Sequence, residues 1–468
     1  MSTLPLVTHT DPDSIIAWRG AGTRDGHHGY DGRAVTLRRF LAEVRELAAH
    51  FPAGGHLLNL CSDRYRFSVG LAAAIVSKKI SLLPSTHTPG VIRDIKAFAP
   101  DVFCLTDSNA HAVDLPQLRY PAMDDAHAGP FAVPWIDSQQ RVAVVFTSGS
   151  TGAPQPHPKT WRALVSCVQA EAACLEMPRH PPCSVVGTVP PQHMYGFEST
   201  VLIAWHNGHA LSHAQPFYPA DICQALADVP APRVLVSSPV HLRALLDSGL
   251  PLPAIDRVVS ATAPLSLQLA REVEARCDAP LMEIYGSTET GQIASRRPTQ
   301  STQWRLFPGI RWLVEGDRVR ATGGHIETAI AMNDVIEPVS DDYFLLHGRI
   351  ADLVNIAGKR HSLVSLNHLL NRIPGVMDGA FYMPDEPIDA GDGRITRLAA
   401  CVVAPELDAP RLLAALREHV DPVFLPRPLV FVEALPRNST GKLPREALQS
   451  LIQRHTTPAI EATQASHE

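Results

Sequence analysis

Leu37, Phe40, Leu41, Val44 and Leu47 recur at intervals of three and four. This spacing lines one face of a helix, and the Thr36 hydroxyl is placed to cap its first turn. Downstream the pattern changes. Short apolar stretches at 57–60, 102–105, 142–146, 185–189, 234–236 and 258–259 are separated by segments of helical spacing such as 239–246. Strands covered on both faces read as continuous apolar runs, and strands alternating with helices pair in parallel. The large N-terminal part, residues 1–350, is therefore expected to be an α/β domain with mainly parallel sheets. Beyond it the units shorten: strand-like 352–356, helical 364–372, strand-like 397–403, helical 410–418, strand-like 429–432. This predicts a small α+β domain over 351–455. Residues 456–468 carry almost no large apolar side chain and are expected to form a frayed tail.

Composition narrows the class. At 468 residues, 45% hydrophobic and 19% charged, the chain is long enough for more than one core and unlike a disordered polypeptide. The net charge of −6, without any Lys/Arg run, argues against a nucleic-acid surface. The eight cysteines form no Cys-x-x-Cys pair and no zinc-like grouping with histidine, so they read as reduced, mostly buried thiols. The first residues lack the basic and apolar regions of a signal peptide, and the apolar run 67–76 is too short to cross a bilayer. A cytoplasmic protein with no transmembrane segment is the expectation.

The candidate chemistry begins where the run 142–146 empties into Thr147, Ser148, Gly149, Ser150, Thr151 and Gly152. Glycines let the backbone turn its amides inward and the hydroxyls add donors, which suits a phosphate. Such loops are common alone. Here Tyr285-Gly286-Ser287-Thr288-Glu289, the pair Gly348-Arg349, and Pro436-Arg437-Asn438-Ser439-Thr440-Gly441-Lys442 follow in order. Together these blocks resemble the adenylate-forming superfamily of acyl-CoA synthetases, aryl-acid ligases, amino-acid adenylation domains and luciferases, over about residues 30–450.

That resemblance implies an acid–thiol ligase using ATP and Mg²⁺, in which a carboxylate attacks the α-phosphate, pyrophosphate leaves, and the acyl-adenylate is passed to CoA or to the phosphopantetheine of a holo acyl carrier protein. By the same resemblance Thr147 to Gly152 hold the β- and γ-phosphates, Glu289 holds the metal and Thr288 contacts the α-phosphate. Tyr285 stacks against the adenine, Ala263 on the far wall of the pocket meets the nucleotide, and Asp334 and Arg349 take the ribose. Lys442 on a mobile small domain bridges the incoming carboxylate and the α-phosphate, with Ala351 at the hinge. Two departures stand out. Gln155 occupies the place of a usual Lys, so the missing charge is absent or supplied elsewhere, with Lys159 as the candidate. Ala351 replaces a usual Asp or Lys, so the hinge lacks an exposed charge.

Pro190 to Gly196 matches the segment lining the acid pocket, which makes His193 a wall or gate. Met194 stands where amino-acid adenylation domains carry the Asp that pairs with the substrate ammonium; a thioether cannot do this. The acid therefore lacks a positive group and is aromatic or short- to medium-chain aliphatic. Ser237, Ala261, Thr262 and Gly286 complete the pocket, with Ser238 beside them and Thr262 in place of a frequent Gly. The ending Lys159-Thr160-Trp161 resembles ligases of bacterial aryl-polyene pigment clusters, which implies a 4-hydroxybenzoate-like acid. A short- or medium-chain acyl-CoA synthetase is the alternative ligase, and a catalytically weak adenylate-binding sensor or scaffold is the alternative from another class. A Walker ATPase and a nucleophile-elbow hydrolase are excluded by their missing motifs.

Overall fold

A computed structural model describes residues 2–19, 34–84, 86–108, 113–123, 131–148, 154–177, 181–316, 318–349, 353–356, 359–384, 397–418, 420–438 and 443–456. The chain divides into two units, Met1–Ala331 with Ser340–Tyr343, and Met332–Val339 with Phe344–Glu468. The domain boundary expected at residues 350 and 351 lies a few residues beyond this division, inside the second unit.

The capped helix is present as Leu37–His50: the Thr36 hydroxyl accepts from the Arg39 amide at 3.3 Å, and Leu37, Phe40, Leu41, Val44 and Leu47 are all buried. The apolar runs form two mainly parallel sheets. In one, the order is Pro154–Thr160, Arg141–Ser148, Ile80–Leu83, His56–Asn59, Val102–Thr106 and Gln117–Arg119, parallel except for the outer hairpin 141–160. In the other, Leu281–Ser287, Arg257–Ser260, Arg233–Ser237, Ser184–Gly187, Ala210–Ser212 and Ile15–Trp18 run parallel. Antiparallel strands Gly291–Arg296 and Ala34–Thr36 flank them. The main core draws Leu57 and Val145 from the first sheet and Val185 and Val236 from the second. Helix Arg64–Val76, buried at every position from Arg64 through Ile75 except Arg66, lies in this core. A Cβ on its Gly70 would stand 2.6 Å from both Asn59 Nδ2 and Leu105 Cδ2, so a larger residue here would have to displace those side chains.

The hairpin strand Pro154–Thr160 was not evident from apolar patterning, because prolines occupy its alternate positions 154, 156 and 158. Proline lacks the ladder N–H and is tolerated only at a sheet edge, and this strand pairs on one side alone. The same period of two puts Gln155, His157 and Lys159 together on one face. The antiparallel strands Ile310–Glu315, Arg318–Gly323 and Ile326–Ala331 were also silent in the sequence. Most of their positions are partly or fully exposed, so there was no apolar period to read.

The second unit carries the hairpin of Asp334–Pro338 with Tyr343–Arg349, all but Tyr343 grouping there, and a smaller hairpin of Leu353–Ile356 with Lys359–Ser362. Its sheet pairs Ala399–Val403 antiparallel with Asp378–Tyr382 and parallel with Leu429–Phe431. Both faces are covered. Phe381, Ala400 and Val402 pack with Leu366, Leu370, Leu412 and Leu416, whereas Ala380, Tyr382 and Cys401 pack with Leu448 and Ile452 of helix Arg445–Thr456. The architecture is the expected one, a large α/β part and a small C-terminal α+β part. All eight cysteines are free, and five of them are buried.

Candidate active site

Parallel strands place their carboxyl ends side by side, and the loops that leave those ends line a common crevice. Here the ends are Gly187, Ser237, Ser260 and Ser287, on neighbouring strands of one sheet. Thus Ser237, Ser238, Ala261, Thr262, Ala263, Tyr285, Gly286 and the segment Pro190 to Gly196, distant in sequence, leave one edge. Ser237 shares a 3.0 Å hydrogen bond with Thr188, and Ser238 one of 2.8 Å with His241. The Tyr195 hydroxyl donates to the Val259 carbonyl at 3.1 Å, which ties the His193–Met194 segment to the strand before Ala261. Met194 is buried and opens a short helix that continues through a π-helical turn, Phe197–Leu202. Beneath the segment lies a wholly buried Arg64. Its guanidinium donates to the carbonyls of Gly187 at 2.8 Å and Val189 at 3.1 Å and to the Thr200 hydroxyl at 2.6 Å. Burial lowers its pKa to about 9, which leaves it cationic at neutral pH.

Two backbone features are specific to this edge. A Cβ on Gly286 would collide with the Gly291 carbonyl oxygen and the Gln292 Cα, at a bulge in the hairpin that follows Tyr285. Thr262 has φ +79°, a left-handed conformation costly for a β-branched residue. Its position is one where glycine would be unstrained. Thr262→Gly is expected to raise stability by about 1 kcal/mol, the relief of strain exceeding the lost chain stiffness; urea denaturation measures it, and a lower midpoint would contradict it.

The hairpin 141–160 brings its polar face to the Thr288–Glu289 turn. His157 Nε2 is 2.9 Å from the Thr147 hydroxyl and 3.6 Å from Glu289 Oε1. Burial presses the His157 pKa below its ordinary value, with the Glu289 charge opposing this. Glu289 is 39% exposed. Partial burial raises its pKa, but its own amide, the Ser287 hydroxyl and the charges of His157 and Lys159 outweigh that and hold it below the usual carboxylate value. Lys159, the candidate for the missing charge, is not solvated: it is 8% exposed, and its ammonium donates to the carbonyls of Thr288 at 2.5 Å and Glu289 at 3.1 Å. The next carbonyl, of Thr290, accepts from His325 Nε2 at 2.9 Å. Burial lowers the His325 pKa to about 4, so the neutral ring is the donor at neutral pH.

Behind this turn lies a polar cluster that nothing in the motifs announced. A Cβ on Gly291 would stand 3.1 Å from Glu198 Oε1, 3.3 Å from His325 Nε2 and 3.4 Å from Cys167 Sγ. Glu198 is buried, and among the described residues neither of its oxygens meets a donor at hydrogen-bond geometry. Burial drives its pKa up, the attraction of Lys159 with the nearby Cys167 thiol and Gln292 amide opposes this, and the balance stands at about 7. A Gln292 amide turned end for end donates to both Glu171 oxygens, at 3.2 and 3.0 Å, while accepting from Ser199 at 2.7 Å.

Tyr285 packs its ring 5.6 Å from that of Trp304, over which Arg296 lies at 4.4 Å. In the second unit, Asp334 and Arg349 are direct partners across the hairpin. Arg437 forms a paired contact with Asp378, Nε to Oδ2 and Nη2 to Oδ1 both at 2.8 Å. Arg445 donates to the Met383 carbonyl at 3.0 Å. These bonds hold both roots of the segment containing Lys442. Ser148 ends its strand; Gly149, Ser150, Thr151, Gly152, Ala351 and Lys442 lie outside the described residues.

The family described as AMP-binding enzyme matches residues 71–322. A 4-coumarate–CoA ligase from Halorhodospira halophila is 33% identical over 328 residues, covering 65% of this chain and 76% of the relative. The medium/long-chain-fatty-acid–[acyl-carrier-protein] ligase FadD10 of Mycobacterium tuberculosis is 22% identical, over 89% of this chain and 84% of its own. Among solved structures, ATP-bound MatB from Rhodopseudomonas palustris superposes with a TM-score of 0.79 at 18% identity, covering 96% of this chain and 98% of that one, a likeness of fold. The chain belongs to the AMP-binding enzyme family. Its place among adenylate-forming CoA ligases makes it an acid–thiol ligase. Among the described residues no helix is long and apolar enough to cross a membrane.

Proposed function

We propose that the enzyme activates an aromatic, 4-hydroxybenzoate-like carboxylic acid with Mg·ATP and transfers it to the phosphopantetheine thiol of an acyl carrier protein, with CoA as the other acceptor of the same chemistry. The observation behind the acid's class is Met194, buried in the segment matched to the acid-pocket wall: a thioether cannot accept an ammonium, which argues against α-amino acids. One relative is named a 4-coumarate–CoA ligase, which supports an aromatic acid, and another is named an acyl-carrier-protein ligase, which supports the thiol. The Lys159-Thr160-Trp161 ending supports the pigment-type subgroup.

A carboxylate oxygen attacks the α-phosphorus, the bond to pyrophosphate breaks, and two anions must be held together while this happens. The hydroxyls and amides of Thr147 to Gly152 bind the β- and γ-phosphates. Thr288 donates to the α-phosphate, and Tyr285 and Ala263 enclose the adenine. Asp334 accepts from the ribose hydroxyls with Arg349 beside it, a pairing favoured by their direct register across the hairpin. Glu289, ionised and partly exposed, would offer a carboxylate oxygen to Mg²⁺. When bound, that ion neutralises phosphate charge. Lys442 bridges the two reacting oxyanions, and rotation of the small domain about Ala351 then withdraws it to admit the thiol. His193 closes the acid side. The division at residues 350 and 351 is functional in this reading, and the cell compartment is the cytoplasm.

The test is Mg²⁺-dependent pyrophosphate release across aromatic, aliphatic and α-amino acids, each with CoA or holo carrier protein. Hydroxybenzoates are expected to exceed aliphatic acids by about tenfold or more, the range that pocket fit supplies, with faster thioester formation on carrier protein. Preference for an aliphatic acid would overturn the aromatic assignment, and tight AMP binding without turnover would favour the sensor.

A further inference from the structure

A buried ammonium is costly unless its protons are satisfied and an opposite charge is near, and an apolar side chain would fill the same space without that cost. Lys159 meets both conditions in one place. Two of its protons go to the successive carbonyls of Thr288 and Glu289, and the buried Glu198 carboxylate lies close enough to attract it. His325 continues the pattern at Thr290. Three consecutive peptide planes are thereby turned inward, while the Glu289 side chain stays partly exposed on the side of Thr147 and His157. The Ser287 and Thr290 hydroxyls close the turn on itself at 3.1 Å.

We propose that Lys159 is a positioning residue for adenylation, an internal cation that orients the Thr288–Glu289 turn from beneath so that the Thr288 hydroxyl and Glu289 carboxylate are presented to nucleotide phosphate and metal. It rests on the roles given above to Thr288 and Glu289. Lys159 and the vacancy of charge at Gln155 belong to the same edge strand, four residues apart on the same face. The strand thus gives its cation to the floor of the site instead of to the phosphates. Glu198 serves as the counter-charge that allows the ammonium to remain buried.

The test compares Lys159→Met, Lys159→Arg and the double variant Lys159→Met/Glu198→Gln, which removes both buried charges and so keeps the fold if the single change does not. Pyrophosphate release is measured against Mg²⁺ concentration, and thioester formation is measured separately from presynthesised acyl-adenylate. Both Met variants are expected to lose adenylation on the order of ten- to hundredfold, the penalty of a misplaced catalytic group. Their half-saturating Mg²⁺ should rise several-fold, with the acid KM and the transfer half-reaction little changed, and Arg should recover part of the loss. Wild-type adenylation and Mg²⁺ dependence in the folded double variant, or equal losses in both half-reactions, would overturn the proposal. Glu289→Gln run in parallel separates the two levels. If it too leaves Mg²⁺ dependence untouched, the reading of Glu289 has failed; if it alone shifts the dependence, only the role of Lys159 has.

Discussion

Lys442→Ala is expected to reduce pyrophosphate release on the order of 10³-fold while transfer from a preformed acyl-adenylate proceeds at nearly the wild-type rate. In the proposed reaction two anions meet in the first half-reaction, and the Lys442 ammonium between them would act in the transition state, where such donors are worth several kcal/mol. In the second half-reaction a thiol attacks the carbonyl carbon of the acyl-adenylate and AMP leaves, so no carboxylate has to be held against a phosphate and that bridge is not needed. The structure makes the comparison clean. The segment's roots are held by the paired Arg437–Asp378 contact and by Arg445 on the Met383 carbonyl, none of which involves residue 442. Rapid-quench measurement of each half-reaction checks it, and comparable losses in both would remove the assigned role.

Glu289→Gln should slow adenylation on the order of 10²- to 10³-fold and raise half-saturating Mg²⁺, since the substitution keeps size and removes the one charge. The direction of the pKa shift sharpens this. Because Glu289 titrates below the ordinary carboxylate range, its charge is complete throughout the neutral range and is lost only in acid, as pH falls through that lowered pKa. The deficit of the Gln variant relative to wild type should therefore be constant between about pH 6 and 9. It should narrow only in acid, where the wild-type carboxylate itself protonates. A deficit that varied across the neutral range would assign the effect to another group. Glu198, at about 7, is the nearest candidate.

Much of this protein was legible without coordinates. The helix capped by Thr36 and the buried runs that became parallel strands follow from period and composition alone, because burial of a face imposes its spacing on the chain. The Tyr285 to Glu289 block and the order of the other motifs already indicated adenylate chemistry, since the residue types that hold phosphate are few. What remained hidden were features whose cause is tertiary. The exposed strands 310–331 bury too little to carry a period, and the proline-rich edge strand 154–160 is stabilised by pairing with Arg141–Ser148, a partner its own composition does not reveal. Lys159 is the sharpest case. In sequence it is a lysine after a glycine loop, which a solvated or phosphate-binding role would explain equally well. Only the fold brings the Thr288 and Glu289 carbonyls, more than a hundred residues away, to its ammonium and sets Glu198 near it. Local chemistry determined which groups the chain possesses; whether a charge meets solvent, substrate or a buried carbonyl was decided by long-range packing, because burial and partner geometry are properties of the folded chain.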